Sequence, residues 1–157
     1  SGALHLIFRT SWVYSHNGKS FLRTILQLAK KREVLRVVND QIGAPTWCRS
    51  IANGTGEVIK QLLDKGKGSL SQSISGISGV YHMTCGGYTS WHAFAEAILE
   101  LTEQDHIPQL LAIPTNEYPT LATRPTYSVL CNTKLNKVFG VELPNWKEAL
   151  KQCIHGT

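Results

Sequence analysis

Arg9, Thr10, Ser11 and Trp12 stand in a row directly after the apolar run Leu4-His5-Leu6-Ile7-Phe8. Such a run has the pattern of a strand covered on both faces inside a parallel sheet. Ligands of open α/β sheets sit beyond the carboxyl ends of the strands, so a guanidinium, two hydroxyls and an indole delivered together there are the material of a pocket wall. The plainer alternative is that Arg9 and Trp12 only cap and pack the strand end, since Trp is highly buried on average without being functional. His82, Cys85 and His92 are metal-ligand types, but a zinc site needs a tetrahedral set and no fourth residue accompanies them, so a packed or exposed role is expected. The six histidines are scattered singly, and only His16 lies close to the strand end. Asn53-Gly54-Thr55 fits a glycosylation sequon, read as accidental in a chain without a secretory leader.

A dinucleotide needs a Gly-rich turn between a strand and a helix, because its pyrophosphate must approach backbone N–H groups at a helix N-terminus. This chain offers none. Gly54-Thr55-Gly56 comes nearest, but it falls inside an apparent helix and follows no strand, which predicts a helix defect or a close-packing point.

The elements that must position these residues alternate between strand and helix patterns. After the turn Ser15-His16-Asn17-Gly18, Phe21, Ile25, Leu28 and Ala29 recur at helical spacing through about Lys31. Val34 to Val38 reads as a β-branched strand; Gly43-Ala44-Pro45 breaks the chain, and Thr46 is the expected N-cap of a helix through about Leu63. Gly66 to Gly79 is Gly/Ser-rich and reads as a mobile surface loop, followed by a short strand from Val80 to Met83. Cys85-Gly86-Gly87 turns the chain into a helix capped by Thr89 or Ser90, with Trp91, Phe94, Ala95, Ile98 and Leu101 on its apolar face. Leu110 to Ile113 is a strand between two prolines, Thr115 to Pro125 is irregular, and helices near Thr133 to Phe139 and from Trp146 close the chain. Asp40 and Gln41 either line a pocket or hold the Gly43-Ala44-Pro45 turn by side-chain bonds; the structural role is the expectation.

With 157 residues and 42% hydrophobic content, one substantial core is expected. The net charge of +5 favours anionic ligands in general. The basic residues are scattered without interleaved aromatics, which argues against a nucleic-acid partner. Cys48, Cys85, Cys131 and Cys153 lie far apart, as reduced thiols of a cytoplasmic protein would, and no apolar run reaches membrane-spanning length.

Four blocks carry a resemblance. Phe8-Arg9-Thr10-Ser11-Trp12-Val13-Tyr14 resembles the R-T-S-W-V-Y segment of dTDP-4-dehydrorhamnose reductases, members of the extended short-chain dehydrogenase/reductase superfamily. Val37 to Thr46 resembles the V-x-D-Q-x-G-x-P-T loop of that family. Gly79-Val80-Tyr81-His82 with Thr89 to Ala95 resembles its G-x-Y-H and S-W-x-x-F-A block. Arg124-Pro125-Thr126-Tyr127-Ser128-Val129-Leu130, with Lys134-Leu135 and Leu143-Pro144-Asn145-Trp146, resembles the closing R-P-x-N-S-x-L and L-P-x-W block. Tyr127 stands where the family usually has Asn and Cys131 where it usually has Asp.

The resemblance implies an α/β fold, namely the C-terminal part of an NAD(P)-binding Rossmann-like reductase: the last strands of the parallel sheet plus a small α/β substrate-binding domain, together spanning residues 1–157. It implies reduction of dTDP-4-dehydro-6-deoxy-L-mannose to dTDP-L-rhamnose with NADPH or NADH, and Mg in some members. Trp12 would pack on the sugar, Arg124 would fork onto pyrophosphate oxygens, and Thr10 and Ser11 would lie near the nicotinamide. The superfamily pairs a proton-donating Tyr with a Lys four residues later. Every Tyr here lacks that Lys, so the chain is expected to be a fragment that is inactive alone; its opening strand, with no preceding neighbours to cover it, is expected to make it self-associate or form a homodimer. A non-catalytic subunit, as in the reductase-like partner of methionine adenosyltransferase, is the competing expectation.

Overall fold

The computed structural model of the chain describes residues 4–65, 76–103, 106–118 and 120–156. In chain order the elements are β1 (Leu6–Arg9), β2 (Val13–Tyr14), α1 (Phe21–Ala29), β3 (Val34–Val38), β4 (Ile42–Gly43), β5 (Thr46–Trp47) and α2 (Cys48–Lys65). Then follow β6 (Gly79–His82), β7 (Thr89–Ser90), α3 (Trp91–Glu100), β8 (Gln109–Ile113), a 3-10 turn at Thr115–Glu117, α4 (Thr133–Phe139) and α5 (Trp146–His155).

The described strands pair two by two, mostly in parallel. Among the described residues β1 pairs with β6, β2 with β5 and β3 with β8, all in parallel, while β4 and β7 run antiparallel. Parallel neighbours need a crossover, and the helices supply it, which makes the class α/β as expected. The opening strand departs from its expected burial. It is not covered on both faces: its residues alternate, and Ile7 is 48% exposed because only the Leu6 and Phe8 side packs against the core.

The helices form where apolar spacing and caps coincide. In α1, Leu22, Ile25 and Ala29 are buried, and Ser20 caps the first turn by accepting from the Arg23 N–H at 3.4 Å. In α3, Ser90 is the cap, accepting from the Ala93 N–H at 3.1 Å, so of the two expected candidates Ser90 serves. Helix α4 ends at Gly140, whose φ of 63° is the left-handed conformation that closes a helix.

Thr46 is not the cap of α2. It sits in β5, with its hydroxyl donating to the Ala44 carbonyl at 3.0 Å and accepting from the Cys85 N–H at 3.3 Å, and the helix starts two residues later at Cys48. The Gly54-Thr55-Gly56 triplet lies inside α2, where a Cβ on Gly54 would be 3.0 Å from Leu143 Cδ1, so this glycine is a close-packing point. Most of the Gly/Ser stretch, residues 66–75, lies outside the described residues.

The core centres on Phe94, fully buried on α3. Its ring meets Tyr14 at 5.2 Å, Phe21 at 5.6 Å and Trp146 at 5.9 Å, tying β2, α1 and α5 to one point. Edge-to-face geometry dominates these contacts, the arrangement preferred by ring quadrupoles. Truncation of such a residue costs about 3–5 kcal/mol.

Candidate substrate site at the end of the first strand

Trp12 follows β1 directly and has a backbone φ of 48°. A bulky residue in the left-handed region is an outlier, sustained only where its surroundings over-determine it. Its carbonyl accepts from the Thr46 N–H at 3.1 Å, and its indole Nε1–H donates to Ser128 Oγ at 3.1 Å. One ring face stacks on Trp91 with centroids 3.5 Å apart and planes inclined by 6°.

The other face is covered by Gly43. A Cβ on that glycine would lie 2.2 Å from Trp12 Cε2, with Nε1 and Cζ2 at 2.5 and 2.6 Å. The atom bonded to both neighbours being nearest means an approach from above the ring, because an in-plane approach would meet Nε1 or Cζ2 first. Trp91 fills the opposite side. With both faces filled, the half-buried indole has only its edge to offer, so the face-on sugar contact expected from the sequence is not open in this conformation.

The loop from Asn39 to Thr46 builds this frame. Asn39 Oδ1 accepts from Ser90 Oγ at 2.8 Å, and the Asp40 carboxylate accepts from the Thr115 N–H at 3.0 Å and from its hydroxyl at 2.5 Å. Gln41 Nε2 donates to the same hydroxyl at 3.1 Å. Asp40 and Gln41 are therefore structural, but they anchor the 3-10 turn rather than the Gly43-Ala44-Pro45 turn. The bonds from Thr115 hold the Asp40 carboxyl below its ordinary range.

The closing block reaches the same place through backbone pairing. Ile42 N–H donates to the Thr126 carbonyl at 2.8 Å, and its carbonyl accepts from Ser128 N–H at 2.8 Å and from Ser128 Oγ at 3.2 Å. Ser128 thus joins the Arg124-Pro125 loop to the Trp12 ring. Arg124 is exposed and makes no hydrogen bond or ion pair among the described residues, leaving its guanidinium available. Tyr127 is 62% exposed, in a parallel bridge to Ile42.

Thr10 is exposed at the strand end. Ser11 differs: its Oγ is buried and has no hydrogen-bond partner among the described residues. An orphaned buried hydroxyl is costly and fits a polar group brought by a ligand. Tyr14 OH is also buried without a partner among the described residues, and burial first, then the nearby Cys85, Cys153 and Cys48 thiols, push its pKa up. A cavity of about 610 Å³ between α3 and α5, lined by Tyr88, Glu96, Glu100 and Lys151 among others, contains none of the expected site residues.

Among the described residues no group of three or more His, Cys, Asp or Glu is placed to hold a metal ion. His82 Nδ1 lies 3.2 Å from the Cys131 carbonyl. Cys131 is exposed, its sulfur 3.0 Å from Thr133 Oγ1, and the bonds from Thr133 lower its thiol pKa. No helix among the described residues is long and apolar enough to cross a membrane.

Sequence reading missed the supports of Trp12. Trp91 read as a packing residue, Gly43 as a chain breaker and Ser128 as one letter of a motif. The signal for Ser128 was present, because a half-buried indole N–H requires an acceptor.

The family described as the RmlD substrate binding domain matches residues 1–157. A dTDP-4-dehydrorhamnose reductase of Burkholderia thailandensis is 44% identical over 161 residues, covering 98% of this chain and 52% of that protein. Its counterpart in Escherichia coli K12 is 40% identical, with 98% and 50% covered. This chain thus spans about half the length of these relatives. Among solved structures, a Clostridium acetobutylicum dTDP-4-dehydrorhamnose reductase superposes with a TM-score of 0.78 at 36% identity, covering 95% of this chain and 47% of that one. The Bacillus anthracis enzyme, solved in complex with NADP, gives 0.77 at 31% identity, with 97% and 48% covered. The motifs, the strand-end site and a match along the whole chain converge: this chain belongs to the RmlD substrate-binding-domain family.

Proposed function

We propose that this chain forms the sugar-nucleotide side of a reductase that converts dTDP-4-dehydro-6-deoxy-L-mannose to dTDP-L-rhamnose. The family match over all 157 residues carries this reading. In the reaction a hydride adds to the C4 carbonyl carbon and a proton to its oxygen. NADPH or NADH supplies the hydride when bound.

The residues of this chain bind and orient. The exposed edge of Trp12 lies against the sugar, and the positive edge of an aromatic ring suits sugar oxygens. Arg124, without a partner among the described residues and followed by a proline that fixes the local backbone, forks onto the pyrophosphate. The Ser11 hydroxyl, whose oxygen has no partner among the described residues, and Thr10 beside it would lie near the nicotinamide when the cofactor is bound. The Gly-rich turn and the Tyr/Lys pair are not among these 157 residues, so the proton and most of the cofactor grip come from elsewhere in the enzyme.

The test is steady-state kinetics of the full-length protein. Arg124→Ala should lower kcat/KM for the keto-sugar nucleotide by about 5- to 150-fold, equivalent to about 1–3 kcal/mol, and Arg124→Lys should rescue poorly because an ammonium cannot form the fork. A substrate analogue lacking the pyrophosphate should be indifferent to the substitution. Equal loss with that analogue would make Arg124 a structural residue.

A further inference from the structure

The strained backbone of Trp12 and the fit of its surroundings belong together. A perfect face-to-face stack is not the arrangement that two free indoles prefer, since their quadrupoles favour offset or edge contacts. The stack of Trp12 on Trp91, at 3.5 Å and 6°, is therefore imposed by what confines the two rings. Trp91 is the first residue of α3, directly after the capping Ser90, and its ring meets Phe21 of α1 at 4.5 Å. Trp12 is closed in by Gly43 on one face and by the Ser128 hydrogen bond at its nitrogen. Neither ring can turn without displacing the other.

We infer that Trp91 is a positioning residue for substrate selection: it fixes the Trp12 indole so that a single edge, at a set depth, meets the ligand. In this reading Trp91 acts through the Trp12 ring and not on the ligand itself. The inference rests on the proposed sugar contact of Trp12, but its structural half stands independently of it. A packing residue serves the core wherever its volume is filled, whereas a positioning residue matters through the ring it aligns.

Two measurements separate these roles. In the 157-residue chain, far-ultraviolet circular dichroism should carry the exciton couplet of the paired indoles. Trp91→Phe and Trp12→Phe should each abolish it, and the double variant should remove nothing further, with the thermal transition retained in all three. Persistence of the signature in either single variant would overturn the stacked unit.

In the full-length protein, Trp91→Leu should lower kcat/KM for the sugar nucleotide about tenfold with KM for NADPH unchanged, and Trp91→Phe should recover part of the loss. Added to Trp12→Ala, Trp91→Leu should cost nothing more, because residues acting through one another are not additive. An additive loss, or an equal effect on the cofactor, would refute the positioning role. If wild-type protein neither binds nor reduces the sugar nucleotide while the spectroscopic cycle holds, the functional reading fails and the rigid pair survives.

Discussion

Gly43 lies over the Trp12 ring so closely that a Cβ there would come within 2.2 Å of Cε2. The glycine is required by space, since the clash would be with a ring confined on its other side by Trp91. Gly43→Ala should therefore expel the indole or displace β4, costing about 1–3 kcal/mol of stability, the range of overpacked sites. Combined with Trp12→Ala the clash disappears, so the double variant should be less destabilised than the sum of the two single losses. Chemical denaturation of the four proteins checks this; simple additivity would show that the two residues do not meet.

The Asp40–Thr115 contact predicts a pH dependence. The Asp40 carboxyl is held below its ordinary value of 3.8, chiefly by the Thr115 hydroxyl bond and then by its N–H. A depressed carboxyl pKa contributes stability that is complete above the unfolded value and is lost as pH falls through the folded one. The contribution should thus fade below pH 3.8, and Asp40→Asn should remove that part of the acid dependence while leaving the rest of the profile unchanged. Thermal melts of both proteins between neutral and strongly acid pH measure it. Parallel profiles would mean that the carboxylate does not hold the turn.

Leu4, Ile7 and Val13, at or beside the first two strands, are 45%, 48% and 48% exposed. Apolar side chains this exposed beside a strand edge favour association. The 157-residue chain should self-associate as its concentration rises, and Ile7→Lys should shift it toward monomer. Light scattering across a concentration series reads this directly; a wild-type chain that stays strictly monomeric contradicts it.

Much of the fold was legible because its signals are local. Leu22, Ile25 and Ala29 recur at helical spacing, Ser90 is a cap residue before an apolar face, and Val34 to Val38 is β-branched. Thr46 misled because a hydroxyl before a helix reads as a cap, whereas tertiary bonds to Ala44 and Cys85 place it in a strand. The alternation of β1 was hidden by its composition, since Ile7 is apolar whether or not anything covers it. Four motif blocks located the candidate site, but their mutual contacts were not legible. The stack of Trp12 on Trp91 spans 79 positions of chain and the bond to Ser128 spans 116, and nothing local encodes either meeting. Arg124 keeps the exposure that an anion contact needs, a property that sequence pattern alone does not supply.

Whether this chain holds the sugar nucleotide, as proposed, is decided by titrating it with dTDP-L-rhamnose while following tryptophan fluorescence. The expected result is a saturable change that Trp12→Phe alters and Arg124→Ala weakens, tighter binding of dTDP-L-rhamnose than of NADPH, and no turnover of the keto-sugar by the chain alone. NADPH binding without any saturable binding of the sugar nucleotide would contradict it.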